Sequence, residues 1–180
     1  HQRPADSRPG MDACGVLGVM AVQARGSAQE TDFLLDLAAS QPHILGVIGW
    51  ADLTSATLEA DLARWRGQEK LKGFCHLLQD EPDLSALLGN PAFNDGVACL
   101  QRQQLVYEVL VLAHQLPLAT DFCARHDQYA LVLDHVGKPA IRHWQDHAES
   151  RRQWTQHLQQ LARLSHVSCK LSGLVTEADW

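Results

Sequence analysis

The stretch LVLDHVGKPAI, residues 131–141, decides the fold of this chain. Three apolar residues, typical of a buried strand, run into an Asp-His pair, and the segment then turns at Gly137 and Pro139. Ionisable side chains are costly to bury. A strand that ends on Asp134 and His135 therefore indicates a polar site at its carboxyl end.

Five further apolar runs have the length and the flanking residues of strands. They cover residues 15–24, 44–53, 71–78, 105–112 and 167–175. Helices are predicted between them: Ser27 and Glu30 form a capping box behind the first strand, and Asn90 and Pro91 can begin a later helix. Six strands that alternate with five helices, at a repeat of about 25–35 residues, predict βαβ units and a parallel sheet.

Two architectures fit this pattern, an open doubly wound sheet and a closed (β/α) barrel. An open nucleotide-binding sheet needs a glycine-rich turn after its first strand, whereas VQARGSAQE, residues 22–30, offers only Gly26. The barrel is therefore favoured. Because no linker or low-complexity segment interrupts the pattern, we expect residues 1–180 to form a single domain.

Composition narrows the partners and the compartment. The net charge is −6 with a pI near 5.9, and the cations are scattered, so no nucleic-acid partner is expected. No apolar run approaches the roughly 20 residues of a membrane span, and residues 1–10 carry no signal region, which predicts a cytoplasmic chain. The cysteines are distant and form no C-x-x-C pair, so we expect them to be reduced. A small molecule is the expected partner. Both a monomer and a homo-oligomer agree with the sequence.

Polar side chains follow every predicted strand at its carboxyl end. Parallel strands bring these ends to one mouth of the sheet, so the side chains are expected to converge there. The residues are Gln23, Arg25, Trp50, Asp52, His76, Gln79, His114, Gln115, Asp134, His135, Lys170 and Ser172.

Asp134 and His135 cannot both point into the mouth if the strand is regular. Side chains alternate along a strand, so Leu133 and His135 share one face, and Asp134 takes the other. We predict that His135 points inward, where it binds a divalent metal or holds an attacking water. Asp134 is predicted to face the helix layer or a neighbouring strand. A structural His135, bonded to a backbone carbonyl, is the alternative.

Three other strand-end residues are candidates for substrate contacts. Lys170 would bind a carboxylate or hydroxyl, or stabilise a developing oxyanion, unless it only forms a salt bridge with a neighbouring strand. Trp50 would stack on a sugar ring or fill the upper core. Gln23 is expected to face the same cavity.

Several segments of the sequence resemble one known family. The segments VQARGSAQET (22–31), GVIGWADL (46–53), LVLDHVGKP (131–139) and CKLSGLVTEADW (169–180), with HLLQDEPD (76–83), resemble the second-type amidohydrolases. The resemblance runs from about residue 15 to residue 180 and implies a (β/α)8 TIM barrel. It also implies a hydrolase, since the family includes sugar lactonases and the pyrone-dicarboxylate lactonase.

The chain departs from the family pattern in two respects. Family members usually carry His-x-His on the first barrel strand and Ser-Asp-Trp-Pro on the last, and neither word is present. The chain therefore resembles roughly strands 2 to 7 of the eight-stranded barrel, incomplete at both ends. His76 matches a family histidine that often follows an arginine, but here Cys75 precedes it. A lost guanidinium would alter the grip on an anionic substrate.

The resemblance predicts a hydrolase that opens the lactone ring of a sugar acid or a related small carboxylated substrate. An activated water would attack the ring carbonyl, with a divalent metal such as zinc as candidate cofactor. His135, His76 and Lys170 are the predicted catalytic residues, and His135 the predicted metal ligand. Gln23, Trp50 and Asp134 are the predicted substrate contacts. The alternatives are a metal-dependent decarboxylase of the same superfamily and a non-catalytic fragment or binding module.

Overall fold

A computed structural model describes residue 6 and residues 8–144 and 147–178. Its centre is a curled parallel sheet of six strands, in which every strand lies beside its neighbour in sequence. The strands are β1 (Val19–Val22), β2 (Ile44–Gly49), β3 (Leu71–His76), β4 (Val106–Val109), β5 (Leu131–Leu133) and β6 (Val167–Cys169). The predicted parallel sheet is confirmed.

Seven α-helices accompany the strands in the described part of the chain. They are α1 (Arg8–Ala13), α2 (Ala28–Ser40), α3 (Leu58–Ala63), α4 (Leu84–Gly89), α5 (Pro91–Arg102), α6 (Leu116–Arg125) and α7 (Ala148–Leu161). Two predicted N-caps are observed, although the Glu30 side chain accepts the N–H of Ala24 and does not close the predicted capping box on Ser27. The Ser27 hydroxyl accepts the Glu30 N–H at the start of α2, and the Asn90 side chain accepts the Ala92 N–H at the start of α5.

The helices cover one face of the sheet, and aromatic side chains fill the space between the two layers. Tyr107 of β4 lies edge-on to Phe93 of α5 and Phe122 of α6, at ring-centroid distances of 6.1 and 6.0 Å. Phe74 of β3 packs on Trp65, just beyond α3, at 5.5 Å. Because side chains alternate along a strand, the residues next to Phe74 and Tyr107 face the opposite, inner side of the sheet.

The sheet is open, because β1 and β6 each have one neighbouring strand. Apolar side chains are exposed near both edges: Leu17 and Leu45 beside β1 are 92% and 55% exposed, and Leu171 after β6 is 86% exposed. The described residues thus form a six-stranded half-barrel. They do not by themselves close the (β/α)8 barrel of the sequence-based prediction.

Close contact between α5 and the loop after β2 leads to a prediction for two helical glycines. A Cβ at Gly96 would lie 2.1 Å from the backbone oxygen of Leu53, whereas a Cβ at Gly89, at the end of α4, would meet nothing within 4 Å. Gly96→Ala should therefore lower the free energy of unfolding by about 1–3 kcal/mol. Gly89→Ala should leave it unchanged or raise it by about 0.5–1 kcal/mol. Urea unfolding of both variants measures this, and equal values would contradict the described packing.

Candidate active site

The inner face of the sheet carries a row of polar side chains near the carboxyl ends of the strands. Cys75 of β3 is aligned with Glu108 of β4, and Glu108 with Val132 of β5. Their strand neighbours Phe74 and Tyr107 pack against the helices, so Cys75 and Glu108 face inward. Both are buried.

A lysine joins two buried carboxylates on this face. The Nζ atom of Lys170 lies 2.6 Å from Oε2 of Glu108 and 2.7 Å from Oδ1 of Asp134. Each carboxylate side chain is only 3% exposed, and that of Lys170 is 27% exposed. The salt bridge to neighbouring strands, one of the two roles considered for Lys170, is therefore present. It does not exclude the other role, because an ammonium has three N–H donors.

The sequence places these three groups together through local backbone geometry. Asp134 follows β5 directly, and Lys170 follows β6 directly. The Lys170 N–H donates to the carbonyl of Leu133 at 3.0 Å, which extends the β5–β6 ladder by one residue. Both side chains therefore remain on the inner face, one strand end beside the other.

Burial and mutual repulsion change the ionisation of this cluster. Burial raises the pKa of Glu108 to about 7, with a further contribution from the charge of Asp134, although Lys170 opposes both effects. Burial by itself would lower the pKa of Lys170, but its bonds to Asp134 and Glu108 outweigh burial and raise it. Burial and the two carboxylates also raise the pKa of the Cys75 thiol, which therefore stays protonated at neutral pH.

Gln23 brings an unused acceptor to the same place. Its Nε2 donates to the backbone oxygen of Cys75 at 3.3 Å, and the residue is 5% exposed. Its Oε1 has no hydrogen-bond partner among the described residues. A buried acceptor without a donor is costly, so this oxygen is available to a ligand or a water molecule. The predicted inward position of Gln23 agrees with this geometry.

Three donors in the cluster are close enough together to share one cation. The Sγ of Cys75 and one carboxylate oxygen each of Glu108 and Asp134 lie within 4.8 Å of one another. Thiolate and carboxylate groups both occur as zinc ligands, so a metal ion bound here would displace the thiol proton of Cys75. The ammonium of Lys170 already pairs with both carboxylates and offsets one of their two negative charges, so a metal ion and Lys170 would compete for the same oxygens.

The Asp-His pair is oriented differently from the sequence-based prediction. Asp134 is the buried inner-face residue, while Nδ1 of His135 is 2.9 Å from Oγ of Ser172 in the segment after β6. The strand ends at Leu133, and His135 has a left-handed backbone with φ of 51°. The alternation of side chains between the two faces therefore holds as far as Asp134 and fails at His135. Asp134 lies on the inner face, so its predicted place on the opposite face is wrong, whereas its contact with Lys170, after the neighbouring strand β6, agrees with the predicted approach to a neighbouring strand. The inward position of His135 at the mouth stays a prediction.

His76 also lies apart from the cluster. Its Nε2 is 2.5 Å from Oε1 of Glu81, and its ring is edge-on to Phe93 of α5 at 6.2 Å. Cys75 and His76 are consecutive in β3, so they point to opposite faces, and Cys75 takes the inner one. The predicted inward position of His76 is therefore corrected.

Trp50 lies just beyond β2, on the side of the sheet where the strands end. Its indole is next to Gly26, where an added Cβ would be 3.3 Å from the ring nitrogen. Thr31 of α2 holds its backbone, since the hydroxyl accepts the Trp50 N–H at 2.8 Å and donates to the Trp50 carbonyl at 2.9 Å. The Trp50 backbone is thus held at the rim, just beyond the end of β2, and the residue is partly exposed.

Sequence reasoning did not select Glu108 or Cys75 as site residues. Glu108 is the one acidic residue in the apolar run LVYEVLVL, residues 105–112, and that isolation was the available signal. Cys75 gave no comparable signal, because buried reduced cysteines commonly serve as small apolar residues.

Comparisons with known proteins show the family and the fold of this chain. An L-fucono-1,5-lactonase of Burkholderia multivorans is 49% identical over 177 residues, which are 98% of this chain and 60% of that protein. Two crystal structures of an amidohydrolase from Burkholderia multivorans, one with bound Hepes and one with bound zinc, have TM-scores of 0.96 and 0.93. Each is 48% identical, over 99% of this chain and 62% of the other.

The extent of these matches shows how the chain relates to its relatives. It spans about 60% of the length of the lactonase that it matches. No helix among the described residues is long and apolar enough to cross a membrane. The sequence profile described as amidohydrolase matches residues 1–180, and the chain therefore belongs to the amidohydrolase family.

Proposed function

We propose that the polypeptide containing this chain is a hydrolase that opens the lactone ring of a sugar acid. The observation that carries the proposal is the ammonium of Lys170 held between Glu108 and Asp134 at the strand ends. The relative named L-fucono-1,5-lactonase supports it and supplies the first substrate to test. A decarboxylase or a non-catalytic module has no comparable support.

The proposal extends to the context of the chain. We infer that residues 1–180 are one domain and correspond to strands 2 to 7 of a (β/α)8 barrel. Both edge strands of the half-barrel are open to further strands, as barrel closure requires. A cytoplasmic location and a homo-oligomeric state remain part of the proposal.

Lys170 is suited to stabilise negative charge on the substrate. An ammonium has three N–H donors, and one each for Glu108 and Asp134 leaves a third for a ligand. When water attacks a lactone, the carbonyl oxygen becomes an oxyanion, and a fixed ammonium lowers the energy of that state. The two carboxylates keep the ammonium in place before the substrate arrives.

The carboxylate pair is suited to take the proton of the attacking water. The pKa of Glu108 is raised to about 7, so its basic form is present at neutral pH and holds a proton more strongly than an ordinary carboxylate. Asp134 is adjacent and shares Lys170 with it. The pair therefore acts as one coupled base in this proposal.

Other residues at the mouth are proposed to bind the substrate. The free Oε1 of Gln23 would accept a hydrogen bond from a sugar hydroxyl. The rim position of Trp50 suits stacking on a sugar ring. His135, held by Ser172, remains a candidate to orient water at the edge of the mouth rather than in the buried cluster.

A divalent metal fits the donor set of the cluster. Cys75, Glu108 and Asp134 would hold it. A bound zinc ion would polarise the lactone carbonyl and lower the pKa of a water molecule. The zinc-bound relative supports testing this metal first.

Competition between Lys170 and a metal ion gives a measurable prediction. Lys170→Met removes the ammonium from Glu108 and Asp134, so zinc affinity should rise by about tenfold or more. Isothermal titration calorimetry of the folded variant at pH 7 measures the change. Lys72→Met, at an exposed lysine of β3, is the control and should leave zinc affinity unchanged. Equal affinities in all three proteins would contradict a metal site at these carboxylates.

The raised pKa of Glu108 predicts how activity depends on pH. Below about 7 Glu108 is protonated and cannot accept a proton, so kcat/KM should fall as pH decreases through about 7. A pH–rate profile measures this limb, and Glu108→Gln should shift or remove it. If kcat/KM of Glu108→Gln still falls below pH 7 as in the wild type, another residue is the base.

The raised pKa of Glu108 also makes stability depend on pH, but stability falls with rising pH where activity increases. The folded-state pKa lies above the value of 4.5 for an unperturbed Glu, so the folded protein binds the extra proton between pH 4.5 and about 7. The contribution of Glu108 to stability is therefore largest below pH 4.5 and declines as pH rises to about 7. Urea unfolding across this range measures the decline.

The function itself is tested with the complete polypeptide and L-fucono-1,5-lactone. Ring opening releases a proton, which a pH indicator follows, and NMR identifies the free sugar acid. We expect a rate well above the rate in buffer alone. A rate equal to that in buffer, or release of carbon dioxide from a carboxylated substrate, would contradict the proposal.

A further inference from the structure

The segment after β5 has a backbone conformation that ordinary residues avoid. His135, Val136, Gly137 and Lys138 have φ values of 51°, 56°, 66° and 45°. We call residues 135–138 the left-handed turn. Only glycine enters this region readily, and for a β-branched residue such as Val136 it is a clear outlier. A conformation of this kind persists only when surrounding contacts enforce it.

Contacts on two sides enforce the left-handed turn. The N–H of Val136 donates to the backbone oxygen of Lys170 at 3.1 Å, beyond the end of β6. Its carbonyl accepts the indole N–H of Trp154, in α7, at 2.8 Å. Both polar groups of the Val136 backbone are thus fixed, one by the sheet and one by the helix layer.

The turn directs two basic side chains and follows a residue of the proposed site. His135 reaches Ser172, with Nδ1 and Oγ 2.9 Å apart. Lys138 reaches Gln79, in the loop after β3, with Nζ and Oε1 2.9 Å apart. Asp134 immediately precedes the turn. A right-handed turn would redirect these side chains, because side-chain direction follows the backbone.

We propose that Trp154 is a positioning residue for the mouth of the half-barrel. It touches no reacting group; its hydrogen bond holds Val136 in the left-handed conformation, and the turn in that form orients His135 and Asp134. The expected loss of activity rests on the proposed function. The hydrogen bond and its effect on the left-handed turn do not depend on the reaction.

Trp154→Phe in the complete polypeptide tests the proposal, because it keeps an aromatic ring and removes the N–H donor. We expect kcat for lactone opening to fall by about tenfold to a hundredfold, with KM changed by about twofold or less, because misplaced groups lose turnover. Trp65→Phe is the matched control. Its indole N–H donates one hydrogen bond, to Asp32 at 2.7 Å, in a different part of the helix layer. It should leave kcat unchanged.

A second readout does not depend on activity. In protein with ¹³C-labelled histidine, Trp154→Phe should shift the His135 imidazole resonance, which is assigned by its loss in His135→Asn, and Trp65→Phe should not shift it. If the wild-type protein opens no lactone, the proposed function fails, yet this comparison still decides the role of Trp154. A His135 resonance unchanged by Trp154→Phe would overturn the inference.

Val136→Gly supplies a rescue. Glycine adopts positive φ without a Cβ clash, so a turn with Gly at this position should depend less on Trp154. The double variant Trp154→Phe/Val136→Gly should recover part of the lost kcat and of the His135 shift, and it should also recover folding if Trp154→Phe alone fails to fold. No recovery of any of these by the double variant would overturn the inference.

Discussion

Lys170→Met is expected to lower the free energy of unfolding at pH 7 by about 3 kcal/mol. The substitution leaves the carboxylates of Glu108 and Asp134 adjacent and almost wholly buried, without the ammonium that now lies within 2.7 Å of each. Proton uptake relieves part of the cost, because a protonated Glu108 can donate a hydrogen bond to Asp134. The loss should therefore be smaller at pH 5 than at pH 8.

Urea unfolding at several pH values measures this effect. The triple variant Lys170→Met/Glu108→Gln/Asp134→Asn removes all three charges and should recover most of the lost stability, since neutral groups of the same shape need no counterion. Lys72→Met, at an exposed site, should have an effect near zero. A Lys170→Met variant as stable as Lys72→Met would show that the ion pairs do not form.

Asp134→Asn is expected to lower kcat/KM for lactone opening by about a hundredfold. Asparagine keeps the shape of the side chain and an oxygen acceptor for Lys170, which also keeps its pair with Glu108. The variant therefore loses a charged base without losing the fold. Its free energy of unfolding should change less than that of Lys170→Met.

Steady-state kinetics and a thermal melt separate these effects for Asp134→Asn. The expected result is a large fall in kcat with a melting temperature close to that of the wild type. A fall in activity that merely follows a fall in the folded fraction would assign Asp134 a structural role only.

The fold was predictable because its signals are local. The apolar runs and the helix caps at Ser27 and Asn90 each lie within a few residues of the element that they specify. The open edges follow from the strand count. Local sequence signals do not determine the register between strands, and it is this register that aligns Cys75 with Glu108.

The site was predicted only in part, and the reasons are physical. Gln23 and Lys170 stand at strand ends and lie on the inner face, as that pattern indicates, and Asp134, predicted on the other face, joins them there. The orientation of the Asp-His pair depends on a strand that ends at Leu133 and on a left-handed Val136. The left-handed conformation costs roughly 1–2 kcal/mol for each non-glycine residue, so local propensity predicts against it. Tertiary contacts from Lys170 and Trp154 decide it.

The central claim is that the inner-face cluster around Lys170 performs the reaction and that the helix-facing His76 does not. Its most direct test is the rate of L-fucono-1,5-lactone opening by the complete polypeptide, compared between Asp134→Asn and His76→Asn. The account predicts a loss of about a hundredfold for Asp134→Asn and a rate close to that of the wild type for His76→Asn, whose histidine pairs with Glu81 outside the cluster. A large loss in folded His76→Asn together with full activity in Asp134→Asn would contradict it.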